Sequence, residues 1–195
     1  MKNTMQKNTP GMLMAVLMTL VVGLACSALS DDTEKANKLI DEANASIAET
    51  TKLMTAAEEK MSAMNDAKQV SEKTKIAPEV IQAFDQAKEK CKTAAAKFDE
   101  ASNLKVDEKF KSYLVSKTKE FNKRAELIEA LKAVPQIVIE AKGGDAITTA
   151  KGLEALKSKI NAANQKAEGL SKEADDLGEQ SKRIQEENPT IFKKG

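Results

Sequence analysis

The sequence contains no histidine and no tryptophan, and it has a single tyrosine among 195 residues. Histidine is the commonest general base and the commonest metal ligand, so most acid–base and metal centres lose their main side chain. Two cysteines cannot complete a structural zinc site, and haem attachment through C-x-x-C-H and the E-x-x-H di-iron pattern both require histidine. We therefore expect a protein that is not an enzyme and that holds neither a metal nor a cofactor.

Basic residues are not in excess either. The formal net charge is +1, and setting aside residues 1–25, which hold Lys2 and Lys7 but no acid, lowers the 31 bases to 29 against 30 acids. Arginine occurs at two positions, Arg124 and Arg183, and aromatic residues make up 3% of the chain. Nucleic-acid binders usually combine a basic excess with arginine and stacking aromatics. The composition therefore argues against a nucleic-acid partner.

The start of the chain has the pattern of an export signal. Two lysines precede residues 12–25, "MLMAVLMTLVVGLA", which carry no charge. As a helix this run would reach about 21 Å, short of the roughly 30 Å hydrocarbon core of a bilayer. A basic start, a short apolar centre and a small final residue are typical of a secretory signal peptide, here residues 1–25. An uncleaved anchor or a buried core helix is the alternative interpretation of the same run.

Cys26 follows this run directly. The stretch resembles the signal of bacterial lipoproteins, in which a small residue, here Ala25, precedes an obligatory cysteine, although Leu24 and Gly23 stand in the reverse of the usual order. The resemblance covers residues 1–27. It implies lipidation of Cys26, with a diacylglycerol on the thiol and an acyl chain such as palmitate on the new amino group, and so a membrane partner through this anchor. Ser27 implies sorting to the outer membrane. Two or three chains hold a protein stably, whereas one does not.

Ordinary signal cleavage, for instance after Ser30, is the competing interpretation, and it would release a periplasmic or secreted soluble domain. If Cys26 keeps its thiol in an oxidising compartment, a disulfide between Cys26 and Cys91 becomes available. If Cys26 is lipidated, Cys91 is left without a partner. The two cysteines leave both alternatives open.

The remaining sequence repeats small and apolar residues at alternating steps of four and three, the spacing of helices that pack as coiled coils. The four stripes run from Ala36 to Met64, Val80 to Ala101, Phe110 to Leu131 and Ala146 to Ile184. They predict helices over approximately residues 33–73, 78–103, 107–141 and 145–187. A tether at 26–34 precedes this bundle domain, residues 35–188, and a tail at 189–195 follows it.

Turn signals set these boundaries. Pro78 suits the first turn of the second helix, and Asp107 can cap the third. Pro135 predicts a kink or a stop near Leu131, because its ring clashes with the carbonyl four residues back. Gly143 and Gly144 together end the third helix.

Four helices with one apolar stripe each can bury those stripes only against one another. The sequence therefore predicts an all-α fold, an antiparallel four-helix bundle or coiled coil with long first and last helices. In an up-down-up-down order, the amino end of the first helix and the carboxyl end of the last lie at the same pole.

Three kinds of candidate site occur in the bundle. Cys91 has three lysines close by in sequence, which would favour a reactive thiolate, but its position on the second stripe favours a buried, inert thiol. The acidic pairs, at 31–32, 175–176 and 186–187, lack calcium-loop spacing and indicate solvated helix faces or caps. Met54, Met61 and Met64 have heptad spacing, which favours core filling over a ligand groove.

The last helix contains Gly152, Gly169 and Gly178 beside stripe leucines. Each glycine inside a helix costs about 1 kcal/mol relative to alanine. Close backbone packing, local flexibility and approach by a partner are three explanations, and the sequence does not choose among them.

These patterns favour a cell-envelope lipoprotein whose helical bundle acts in structural or protein-interaction roles. One alternative is a carrier that holds an apolar small molecule or lipid between its helices. A second is a coiled coil whose first and fourth helices recruit a protein partner or a second copy. An enzyme that uses Cys91 is a third, weakened because no histidine is present to take the thiol proton.

Overall fold

The computed structural model describes residues 32–141 and 150–192, which form five α-helices. The helices are α1 (Thr33–Asp66), α2 (Val70–Ser102), α3 (Glu108–Leu131), α4 (Ala133–Ala141) and α5 (Ala150–Glu187). These two ranges contain no strand, and none of their helices is long and apolar enough to cross a bilayer. The chain is an all-α helical bundle with long first and last helices, as the sequence predicts.

Helices α1 and α2 form an antiparallel hairpin. Ion pairs cross between them at one register: Glu42–Lys97, Glu49–Lys90 and Lys60–Glu79. A step of seven residues forward along α1 matches a step of seven residues backward along α2, which is the geometry of an antiparallel coiled coil. Small stripe residues, among them Ala43 and Ala87, are fully buried and let the two helices approach closely.

Helix α3 lies in the middle of the bundle, with α2 on one side and α5 on the other. On the α2 side, the rings of Phe98 and Phe121 stack with their centroids 5.6 Å apart. On the α5 side, Lys123 Nζ lies 3.1 Å from Glu173 Oε2. Because both of its flanks are covered, α3 buries two faces where the sequence showed one stripe.

The boundary expected between the first two helices is wrong. The sequence predicted a first helix to residue 73 and a second from 78, whereas α1 ends at Asp66 and α2 begins at Val70. The Lys73 ammonium group donates to the carbonyl oxygens of Met64 and Asn65, both at 2.9 Å, and so satisfies acceptors that the end of α1 leaves open.

Pro78 therefore lies inside α2 and not in its first turn. The Pro78 ring is on the exposed side of the helix, so the backbone hydrogen bond that proline cannot donate is not missing from the core. As a consequence α2 is nearly as long as α1, so α1 has no free overhang that could project beyond its neighbour.

The other two turn predictions are confirmed. Asp107 Oδ1 accepts from the backbone N–H groups of Lys109 and Phe110, at 2.8 and 3.3 Å, and caps α3. Helix α3 ends at Leu131, and α4 begins after Lys132 with Pro135 in its first turn. The Gly143–Gly144 break and the start expected for the last helix at 145 lie outside the described residues.

Both described termini lie at one pole of the bundle. The backbone N–H of Lys105, in the α2–α3 loop, donates to Asp32 Oδ2 at 3.0 Å. Close to that loop, Phe192 makes edge-on contacts with Phe110 and Tyr113, at centroid distances of 5.9 and 5.0 Å. Phe192 is buried, so residues 189–192, expected to be a tail, complete the core at this pole.

Candidate functional site

The predicted lipidation site, Cys26, lies outside the described residues. The nearest described residue is Asp32, directly before α1. Six residues, 27–32, separate Cys26 from Thr33 in the sequence.

Cys91 is a buried thiol in α2. It is fully inaccessible, and Sγ donates to the Phe121 carbonyl oxygen at 3.2 Å. Burial raises the pKa of the Cys91 thiol to about 12, a rise that the nearby Arg124 guanidinium only partly opposes. Since the thiolate is the nucleophile, this environment suppresses reactivity. The three sequence-neighbouring lysines do not contribute, because their ammonium groups point to the surface and pair with carboxylates.

A buried ionic cluster lies between α3 and α5, and the sequence analysis did not find it. Its members on α3 are Lys117, Glu120 and Arg124, which are 3%, 0% and 5% exposed. Lys117 Nζ donates to Glu120 Oε2 at 2.9 Å, and Arg124 Nε donates to Glu120 Oε1 at the same distance. Asp175 of α5 lies 3.5 Å from Arg124 Nη2.

The ionic cluster explains one of the three glycines in α5. A Cβ atom added to Gly178 would stand 3.2 Å from Glu120 Oε1. Because Gly178 has no side chain, the Glu120 carboxylate can pack directly against α5. Gly169 differs, because a Cβ atom there would have nothing within 4 Å.

The signal that could have located this cluster is the spacing of its members. Glu120 and Arg124 are four residues apart and Lys117 and Glu120 three apart, so all three side chains share one helix face. That face lies beside the apolar stripe of the third helix, and a row of charged residues there is ordinarily a solvated face. Only the position of α3 between two helices turns it into an interior face.

The other candidate residues named from the sequence take part in core packing or in ion pairs. Met54 and Met64 are buried, and Met61 packs against the core. Asp175 faces Arg124, and Glu186 lies 4.0 Å from Lys182. Among residues 32–141 and 150–192 no group of three or more acidic or cysteine side chains could hold a metal ion.

A second unusual surface is found at the opposite pole, and we call it the distal tip. It consists of partly exposed apolar residues of α4 and of the first turns of α5: Ile137, Val138, Ile139, Leu153 and Leu156. Helix α4 continues the line of α3 past Lys132, packing on α2 and on α5. Lys159 Nζ of α5 lies 3.7 Å from Glu140 Oε2 of α4 in an exposed ion pair.

Comparison of the chain with known proteins gave no match to a family model, to a curated protein or to a solved structure.

Proposed function

We propose that this protein is a lipoprotein of the cell envelope, anchored by acyl chains on Cys26, whose helical bundle acts in a structural or protein-interaction role. The observation that carries the proposal is the charge-free run of residues 12–25, which ends directly at Cys26 behind a basic start. This arrangement suits a cleaved export signal followed by a lipidated first residue.

The shape of the bundle is compatible with such an anchor. The first described helix begins seven residues after Cys26, so a lipidated Cys26 would hold the pole with Asp32 and Phe192 close to the membrane surface. Helix α1 is 34 residues long, which extends the bundle about 50 Å from that pole. The distal tip would then be presented to the compartment away from the anchor.

The described side chains favour a binding or scaffolding role. The single described thiol is buried with a raised pKa, and the two buried cations of α3 are paired with Glu120 and, across to α5, with Asp175. Neither arrangement leaves an accessible group to attack or protonate a substrate. The partly exposed apolar residues, by contrast, offer a surface that another molecule can cover.

Membrane fractionation of cells that produce the full chain tests the anchor. We expect the protein in the membrane fraction, released by detergent but retained in high salt, since acyl chains bind through apolar burial. Cys26→Ser should be recovered as soluble protein or as the longer precursor. Recovery of the unchanged protein in the soluble fraction would overturn the proposal.

The proposed outer-membrane location has its own test. Ser27→Asp should move the anchored protein from the outer to the inner membrane fraction, and Ser30→Asp serves as the control for an added charge. An inner-membrane location of the unchanged protein would contradict the location while leaving the anchor in place.

A further inference from the structure

Helix α4 is too apolar for its surroundings. Every residue of α4 except Gln136 and Glu140 is apolar, yet only Pro135 and Ala141 are buried. A helix that is apolar on all sides normally lies in a core or against another apolar surface. Ile139 is 38% exposed, and Leu153, in the first turn of α5, is 41% exposed. The residues that the structure describes therefore leave the distal tip incompletely covered.

The charges on the amino-terminal half of α5 are mostly basic, whereas α4 contributes one acid, Glu140. Residues 150–166 of α5 carry four lysines and one acid, whereas residues 167–187 carry seven acids and three bases. The lysines thus gather at the helix amino end, where the macrodipole is already positive and basic residues are unfavourable. This local cost is offset if the tip meets a negatively charged surface.

Two of these lysines lie at the edges of the apolar stripe. At 100° per residue, Lys157 and Lys159 project on opposite sides of the stripe formed by Leu153, Leu156 and Ile160. Long lysine side chains at such borders can lay their methylenes along an apolar layer and extend their ammonium groups to anionic head groups. Lys159 has Glu140 nearby, but both side chains are more than 60% exposed, so this pair is weak.

A second copy of the chain fits this surface poorly. A two-fold contact places the same patch on both sides of the interface, so the lysine-bordered tips would face one another. A protein partner is also disfavoured by the residue types, because protein interfaces are enriched in aromatic residues and arginine and depleted in lysine. The distal tip contains lysine and aliphatic residues, and the described part of α4 and of residues 150–166 has neither arginine nor an aromatic ring.

We propose that the distal tip binds an anionic lipid surface, with Ile139 and Leu153 entering the interface and Lys151, Lys157 and Lys159 contacting head groups. This contact does not depend on lipidation of Cys26, since it uses the opposite pole. The nine residues of α4 are too short to cross a bilayer, so the tip lies in the interface.

Vesicle co-sedimentation of a chain from residue 26 with Cys26→Ser tests the proposal without an acyl anchor, so a failed anchor does not affect the result. The chain retains every described residue. We expect binding to vesicles of phosphatidylcholine with phosphatidylglycerol, little binding to phosphatidylcholine alone, and loss of binding as salt screens the lysines. Equal binding to both vesicle types, or binding to neither, would overturn the proposal.

Paired variants assign the binding to the distal tip. The double substitution Ile139→Ser with Leu153→Ser should weaken vesicle binding about tenfold or more, because both side chains enter the interface. Val115→Ser, at a residue of α3 that is 37% exposed, should leave binding unchanged. Lys151→Glu with Lys157→Glu should abolish the preference for anionic vesicles.

Circular dichroism confirms that each variant is folded before binding is compared. Unchanged binding by a folded Ile139→Ser, Leu153→Ser variant would overturn the assignment. So would a dimer of the parent chain that this double substitution dissociates, because a second copy would then be what covers the tip.

Discussion

The Glu120 carboxylate lies directly against Gly178, where an added Cβ atom would stand 3.2 Å from Glu120 Oε1. Glu120 is held from its own helix by Lys117 and Arg124, so it has little room to move aside. Buried ion groups of this kind fix register in some helical assemblies. We infer that the ionic cluster and Gly178 together set the register of α5 on α3.

Alanine substitutions at Gly169 and at Gly178, two glycines of α5, should change the free energy of unfolding in opposite directions. Gly169→Ala should raise the free energy of unfolding by about 0.5–1 kcal/mol, because the position has open space and alanine favours the helix. Gly178→Ala should lower it, since the new methyl group displaces a fixed carboxylate. Chemical denaturation measures both, and equal stabilisation by both substitutions would contradict the packing of Glu120 on α5.

Neutralising Glu120 should destabilise the bundle strongly. Glu120→Gln leaves two cations buried without a counter-charge on α3, and the loss of one partner from a buried pair costs about 3–5 kcal/mol. Glu126→Gln is the matched control, because the Glu126 side chain, which pairs with Lys123, is 56% exposed. There the expected cost is below about 1 kcal/mol.

Removing the whole cluster should be less harmful than removing one member. The triple substitution Lys117→Met, Glu120→Leu and Arg124→Met replaces three buried ions by apolar side chains of similar size, which is often neutral or stabilising. We expect most of the stability lost in Glu120→Gln to return. A triple variant that is less stable than Glu120→Gln would show that the charges themselves hold α5 in place.

The sequence predicted the helices well where one apolar stripe is buried against one neighbour. The second stripe, with Val80, Phe84 and Cys91, points into the core as expected. The α1–α2 turn was placed too late, at residues 74–77, although the apolar stripe of the first helix already stops at Met64. Lys73 bonds to carbonyl groups at the end of α1 only because the chain has reversed before it, and a stripe does not show that contact. Pro78 was expected in the first turn of the second helix, but it lies inside α2, where its exposed ring is tolerated.

The ionic cluster could not be read from a pattern of apolar residues. Lys117, Glu120 and Arg124 form an ordinary solvated face on an isolated helix, and only the packing of α5 over α3 buries them. Phe192 was assigned to a tail for a similar reason, since its partners, Phe110 and Tyr113, are distant in sequence.

Cys91 should resist alkylation in the folded protein. Because burial raises the pKa of its thiol to about 12, Cys91 stays protonated at pH 8, and its side chain is inaccessible. The thiol-exchange reagent DTNB should react within minutes in denaturant and far more slowly without it, with the Cys26→Ser chain providing a single thiol. Rapid reaction of the folded protein would mean that Cys91 is accessible.

The α1–α2 ion pairs should make stability fall in acid. Hydrogen bonds and charge from Lys97 and Lys90 lower the pKa values of Glu42 and Glu49 below their ordinary value of 4.5. A carboxyl group with a lowered folded-state pKa stabilises above its unfolded pKa, and the contribution is lost as the pH falls through the folded value.

Thermal unfolding between pH 6 and pH 3 provides the measurement, because the predicted loss lies at and below about pH 4.5. Glu42→Gln with Glu49→Gln should reduce the slope of melting temperature against pH in that window. Glu72→Gln, at an exposed carboxylate of α2, should leave the slope close to that of the parent chain. Identical slopes in all three proteins would mean that the lysine pairs do not persist in solution.

Mass spectrometry of the amino-terminal peptide, from protein extracted from membranes, shows whether Cys26 is the lipidated first residue. We expect a peptide that begins at Cys26 and carries the added mass of a diacylglycerol and an amide-linked acyl chain. A mature chain that begins at a later residue, or a Cys26 that bears no acyl group, would contradict it.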